Sequence, residues 1–596
     1  MFVELLDRLP AQLAEFAPRA PARDRAAWTA LPSTIAASLV ARGESLLGQP
    51  YPSIPATDYM AFCRTGNRVG CEELYMARRR MLNALVMAEC VEAEGRFIDA
   101  VIDGIFALCE ESGWQLPAHN SYVRDTPQII LPDTAAPVID LFAAETGAQL
   151  AMVRHLLGAE LDAISPLIGE RIRREIQTRI VTPYLDRHFW WMGNGDEPMC
   201  NWTVWCTQNV LLAAFTTGQS QETKRRVVEK AAHGMDAFLK DYGEDGCCEE
   251  GVLYYRHAGL CLFNAMEVLN AVTDGTFAPL FGEPKIRNIA EYILHMHVAD
   301  RHYFNFADCS AVVERAGVRE FLFGQRVDSA ALASFAAADW QRDENHDLPD
   351  ELNLFYRLQA AFTAREIVAY PAGQEDKREI YYPSNGVFVA RDAVFDLAVK
   401  AGDNGDSHNH NDTGSLTLYK NGKPLLIDVG VESYTAKTFS PRRYEIWTMQ
   451  SAYHNLPTFG GVMQEAGAAF AARDVEVSFG PGDSRIAMEI AGAYPPEADV
   501  ACYRREVRLV KGEAVVVEDR YEGERPAELS LMFVEHPEIS DGLIRVGDLG
   551  TIHLDGAGTM RLEEIPITDV RLRWAWPDRL YRVLVPMGSH LMLTVI

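Results

Sequence analysis

The sequence predicts an α+β chain in two parts, a helical domain over residues 1–372 followed by an antiparallel β-sandwich over 380–596. Three observations predict it. At 596 residues the chain exceeds what one hydrophobic core supports, so two to four domains are expected. Apolar residues recur every three or four positions up to about residue 370, then alternate or cluster in short β-branched runs. The polar segment Pro371-Ala372-Gly373-Gln374-Glu375-Asp376-Lys377 separates the two regimes. Helices first and strands afterwards point to separate layers or domains, not alternating βα units.

The helical reading rests on rows such as Leu74, Met81, Leu82, Leu85 and Val86, and Phe97, Val101, Ile105 and Leu108. Further helical stretches are predicted near 137–160, 163–181, 203–217, 222–242, 256–272, 287–299 and 350–368. Short breaks such as Leu131-Pro132-Asp133-Thr134 favour antiparallel helical hairpins, stacked or closed into a ring. No fixed-length repeat supports a regular solenoid. Beyond the linker, strands are predicted at Val387–Ala390, Asp396–Val399, Ser415–Tyr419 and Val507–Val510, with hairpin turns at Asn421-Gly422 and Lys511-Gly512.

The composition narrows the function classes. The formal charge of −28, from 56 basic and 84 acidic residues, speaks against a broad nucleic-acid surface. It leaves room for a polyanion in a local basic cleft. No apolar run approaches the roughly 18 residues that span a bilayer, so no membrane partner is expected. The 11 cysteines are odd in number and form no Cys-x-x-Cys, which suggests reduced thiols. With no secretory pattern at residues 1–8, the expectation is a cytoplasmic protein.

The most informative stretch is Gly405-Asp406-Ser407-His408-Asn409-His410-Asn411-Asp412. It lies between two apolar strand runs, and in an extended conformation His408 and His410 would face one site together. Two converging imidazoles bind a metal, move a proton or divide those tasks. The strand Pro424-Leu425-Leu426-Ile427 ends at Asp428, and Tyr453-His454-Asn455 follows the Arg442/Arg443 pair. His410, Asp428 and His454 form a two-histidine, one-carboxylate set suited to zinc or manganese. By residue type alone, a turn-capping Asp428 and a surface His454 are equally good readings.

In the helical part, His188-Phe189-Trp190-Trp191 leads to Asn201-Trp202-Thr203-Val204-Trp205. Aromatic rings beside amide groups suit sugars, whose C–H faces stack on indoles while their hydroxyls need hydrogen bonds. A tryptophan-rich packing seam is the competing reading. The loop Asp245-Gly246-Cys247-Cys248-Glu249-Glu250-Gly251 then runs into Tyr254-Tyr255-Arg256-His257. A tyrosine acts as a base only where positive charge favours its phenolate, and Arg256, His257, an incoming histidine or a metal could supply that charge.

Taken together, the Asn-Trp, the Glu-Gly-x-x-Tyr loop, Ser-His-Asn-His-Asn-Asp, Leu-Ile-Asp-Val-Gly and His-Asn resemble the heparinase II/III-like polysaccharide lyases. The resemblance covers most of the chain and is most specific over 385–460. It implies an incomplete (α/α) toroid followed by antiparallel β-sheet domains. It also implies β-elimination on an acidic polysaccharide or oligosaccharide, such as a glycosaminoglycan (hyaluronan, chondroitin or heparan sulfate) or alginate. Residue by residue, Asn201 resembles the family's carboxylate-neutralising group, Tyr255 its tyrosine and His408 its proton-abstracting histidine. Tyr254 fits the local pattern nearly as well as Tyr255. A single structural divalent metal would sit on His410, Asp428 and His454. His188 is a further candidate for catalysis, and Trp191, Trp202, Trp205 and Arg443 for substrate binding. Arg78, Arg79 and Arg80 could reach substrate anions, although consecutive helical residues cannot all face one cleft. Asn201 stands where some members have His, which leaves the preferred polymer open.

Two rival readings remain at this stage. An (α/α) toroid glycoside hydrolase would use paired carboxylates, for which Glu249, Glu250 and Asp308 are available. A non-catalytic carbohydrate-binding protein would use the tryptophans alone. The oligomeric state is not readable from the sequence.

Overall fold

The computed structural model describes residues 1–123, 126–193, 198–373, 376–435 and 437–596. The linker positions Gln374 and Glu375 lie outside the described residues. The chain divides into two compact units. The first comprises Met1–Tyr242, His257–Ala290 and Arg315–Gln374, and the second Gly243–Arg256, Glu291–Glu314 and Glu375–Ile596.

The first unit is helical. Ser33–Leu46 packs on Val69–Glu92, which also meets Ile98–Cys109 and Leu141–Ile164. Leu141–Ile164 in turn packs on Asn201–Phe215, and that helix on Gln221–Asp241. Helices such as Asn201–Phe215 are buried almost all round, as the inner members of a helical ring must be. The predicted stretch 163–181 contains two helical forms, an α-helix at Pro166–Ile176 and a π-helical turn at Gln177–Val181. Arg78 and Arg79 are not available to a substrate, because both bond to Glu111, with Arg79 also over the Tyr75 ring. Arg80 donates to the Asp350 carbonyl.

The second unit is a β-sandwich. One antiparallel sheet has five strands in the order Ile380–Tyr382, Val387–Arg391, Phe395–Lys400, Leu416–Lys420 and Lys423–Leu426. The other has 11 strands, organised along the long strand Arg579–Val595. Phe388, Leu397, Val399 and Leu416 of the first share one core with Ile486, Val507, Leu529 and Val585 of the second. The alternation along each strand puts these side chains inward. Asn421 and Gly422 both have positive φ, at 52° and 73°, as their tight hairpin requires. The helical pattern expected to reach 299 stops at Met296, where the short hairpin His297–Ala299 and His302–Tyr303 begins. That hairpin and the loop after it belong to the sandwich unit. They carry the residue on which the candidate site turns. Among the described residues no helix is long and apolar enough to cross a membrane.

Candidate active site

Asp308 is the hub of the sandwich unit's polar centre. Its side chain is fully buried, and it accepts hydrogen bonds from His408 Nδ1 at 2.8 Å and Tyr434 Oη at 3.0 Å on Oδ2. On Oδ1 it meets His410 Nε2 at 3.1 Å and Arg443 Nη2 at 2.6 Å. Burial opposes its ionisation, but the two histidines and the Arg443 charge hold its carboxyl well below the usual range. A buried carboxylate with four partners is an orienting group. It is not an acid free to reach a glycosidic oxygen, which removes it from the hydrolase reading.

Two glycines let the Asp308 segment come this close. A Cβ on Gly251 (φ 84°) would lie 2.8 Å from Cys309 Cβ and from the Phe306 carbonyl. A Cβ on Gly430 (φ 80°) would lie 2.8 Å from the Cys309 carbonyl. The loop 306–309 therefore wedges between the turn before Tyr254 and the end of the Asp428 strand.

His408 and His410 meet, but not as expected from an extended strand. His408 lies in a turn with φ 57°, and the two rings reach opposite oxygens of Asp308. A left-handed histidine is costly, and such strain concentrates at functional positions. With Nδ1 donating to Asp308, the tautomer leaves Nε2 as the acceptor nitrogen. Burial alone would disfavour the imidazolium, yet the Asp308 hydrogen bond and the Glu250 charge outweigh it and raise the His408 pKa.

The paired tyrosines separate cleanly. Both lie in the first turn of the helix Val252–Val272, where neighbours point about 100° apart. Tyr255 is fully buried and packs near Tyr292, with ring centroids 6.0 Å apart. It is a core residue, which corrects its assignment to the site. Tyr254 stacks on His408 at 4.6 Å and shares a 2.6 Å hydrogen bond with Tyr434. Burial pushes its phenol up to about 12, although the Tyr434 hydrogen bond and the Arg571 charge pull the other way. Of the charges that could act on a tyrosine here, an incoming histidine, His408, is beside Tyr254, whereas Arg256 bonds to Glu314. Arg571 lies over the Tyr434 ring at 4.6 Å.

His410, Asp428 and His454 come together, each offering an atom within 4.8 Å of the others, and all are buried. Asp428 Oδ1 accepts from the Gly430 amide and from Asn305. Its Oδ2 lies 2.9 Å from His454 Nδ1. His410 Nδ1, also buried, has no hydrogen-bond partner. Burying an imidazole nitrogen without a partner is costly unless it serves as a ligand. His410 Nε2 bonded to Asp308 matches the carboxylate–histidine support that metal sites use. The residues fit a divalent cation.

The remaining candidates lie in the helical unit. Asn201 is buried at the first position of its helix. Trp202 and Trp205, three residues apart on one helical face, are half-buried. Trp202 meets Trp190 at 5.0 Å and His119 at 4.7 Å, and Trp205 stacks on His257 at 4.0 Å. Trp191 is core, with Nε1 bonded to the Ile139 carbonyl and its ring stacked near Phe189, so it offers no face to a sugar. His188 is exposed. Arg443 is likewise corrected: its guanidinium is occupied by Asp308 and by the Asn409 and Thr438 carbonyls. The sequence did not single out Tyr434 or Arg571, which stand alone in irregular segments. Asp308, a charge inside the largely apolar segment Tyr303–Cys309, was a usable signal.

Fold and site together define the class: a helical toroid joined to an antiparallel β-sandwich, with a Tyr–His–Asp centre beside a two-histidine, one-carboxylate cluster. Residues 375–568 match the family model described as Heparinase II/III-like, C-terminal. No curated protein matches the sequence. Among solved structures, a heparan sulfate lyase HepC mutant from Pedobacter heparinus is similar with a TM-score of 0.60 and 14% identity, over 100% of this chain and 87% of that one. A heparinase III structure is similar with a TM-score of 0.57 and 12% identity, over 94% of this chain and 89% of that one.

Proposed function

We propose that the protein is a polysaccharide lyase that cleaves uronic-acid-containing chains by β-elimination. The observation that carries this reading is the stacked Tyr254–His408 pair, with His408 fixed by Asp308. The fold shared with heparinase III and HepC agrees with it. Elimination needs a base at C5 of the uronate and a proton for the departing O4. His408 Nε2 takes the C5 proton, the C5–H electron pair becomes the C4=C5 double bond, and the C4–O4 bond breaks. Tyr254, protonated because its phenol is pushed up to about 12, gives its proton to O4. Asn201 keeps the carboxylate-neutralising role implied by the resemblance, which would lower the energy of the developing dianion.

The expected result is a rise in ultraviolet absorbance from the conjugated double bond when a panel of hyaluronan, chondroitin, heparan sulfate and alginate is digested. New reducing ends without that absorbance would mean hydrolysis, and neither signal would mean a binding protein. His408→Ala and Asn201→Ala should each lower the elimination rate by about 10²–10⁴.

His410, Asp428 and His454 would hold one zinc or manganese ion in a structural role, pinning the loop that presents His408. Metal bound at a hundred times its Kd contributes about 2.7 kcal/mol, or roughly 5–10 °C in Tm for a domain of this size. His410→Ala is therefore expected to lose bound metal, Tm and activity together. Metal-free protein by elemental analysis, or unchanged melting of His410→Ala, would sink the assignment.

A further inference from the structure

We propose that Tyr434 is a positioning residue for the elimination, its hydroxyl joining the proton-donating phenol of Tyr254 to the carboxylate that orients His408. The inference rests on the lyase reading.

The geometry is a short chain of polar atoms. Tyr254 Oη and Tyr434 Oη are 2.6 Å apart, Tyr434 Oη donates to Asp308 Oδ2 at 3.0 Å, and the same oxygen meets His408 Nδ1 at 2.8 Å. Tyr434 Oη is also 3.3 Å from His408 Nδ1. The base and the acid thus meet at one hydroxyl. Arg571 fixes that hydroxyl from behind, its guanidinium over the Tyr434 ring while Nη2 donates to the Asp308 carbonyl. Phe439 packs edge-on against the ring at 5.0 Å.

A hydroxyl has one proton to give, and the two states of the reaction ask for it in different places. In the free enzyme Tyr254 donates to Tyr434 and Tyr434 donates to Asp308. With substrate in place Tyr254 turns its single proton to O4, while Tyr434 stays bonded to Asp308. Once Tyr254 has given its proton to O4, its oxygen is a phenolate. Tyr434 can then turn its hydroxyl proton from Asp308 to the phenolate, while His408 and Arg443 continue to hold Asp308. No proton leaves Tyr434, and only its hydrogen bond is redirected. A hydrogen bond to a charged group is stronger than one between neutral groups, and here it forms only after proton transfer has begun. Arg571 adds positive charge on the same side.

Tyr434→Phe keeps the ring and removes only the hydroxyl. On an ordinary uronate oligosaccharide its kcat is expected to fall about 10- to 100-fold with KM within about twofold. On a synthetic uronate with fluoride at C4, the leaving group needs no protonated phenol, so the variant should match wild type within about threefold. Arg571→Gln should show the same contrast with a smaller loss, and it serves if Tyr434→Phe folds poorly. Equal losses on both substrates would mean a merely structural role, and no loss on either would also overturn the proposal. Wild-type enzyme that forms no unsaturated product from either substrate would instead overturn the lyase reading itself.

Discussion

Tyr254→Phe is expected to retain only about 10⁻²–10⁻⁴ of the wild-type elimination rate, with the fold intact, while Tyr255→Phe remains within a few-fold of wild type. The two phenols are adjacent in sequence and differ in everything that matters to chemistry. Tyr254 Oη lies in the chain of Tyr434, Asp308 and His408, and its ring covers the His408 imidazole. Tyr255 has no exposed surface and packs near Tyr292, so its hydroxyl cannot meet a polymer. Losing the Tyr255 hydroxyl should appear as about 1 kcal/mol of stability, read as a small drop in Tm. Steady-state rates and melting curves of the two variants therefore separate a reacting group from a packing group. An inactive Tyr255→Phe beside an active Tyr254→Phe would reverse the assignment and with it the role given to Tyr434.

This pair also shows where sequence reasoning stops. The motif run pointed to His410, Asp428 and His454, and the fold brings these three together. Hairpin chemistry at Asn421-Gly422 and the change of period near 371 placed the sandwich. Choosing between Tyr254 and Tyr255 needs the direction of a helix's first turn, which no periodicity fixes when both neighbours are aromatic. Arg443 and Trp191 carry the same lesson. An arginine and a tryptophan near a site suit a polyanionic sugar, but Asp308 and the Ile139 carbonyl have already claimed them. Asp308 was legible as an acid and illegible as a hub, since its partners come from residues 100, 102, 126 and 135 positions away.

The largest stability effect is expected at a distance from the chemistry, in the Arg505–Asp519 pair. The two residues face each other across the strands Val500–Val510 and Ala514–Gly523 and are almost wholly buried. Arg505 donates to both carboxylate oxygens at 2.8 Å. Its Nη1 then donates to the Gly414 carbonyl at 2.9 Å and the Asn455 carbonyl at 2.7 Å. Gly414 follows the His410 loop, and Asn455 follows His454 directly. Asn455 also donates to the Leu416 and Ile427 carbonyls and accepts from the Met532 amide. One buried guanidinium therefore anchors both loops that bring the candidate metal ligands together. Asp519→Ala strands that charge in the core and is expected to cost about 3–5 kcal/mol in chemical unfolding of the sandwich unit. A double replacement, Arg505→Met with Asp519→Leu, removes the stranded charge and should recover most of the loss. It does not restore the donors to Gly414 and Asn455, so activity and bound metal should stay low while the midpoint of unfolding returns. If the double variant recovered metal and activity together with stability, Arg505 would be acting on the core alone and not on the site.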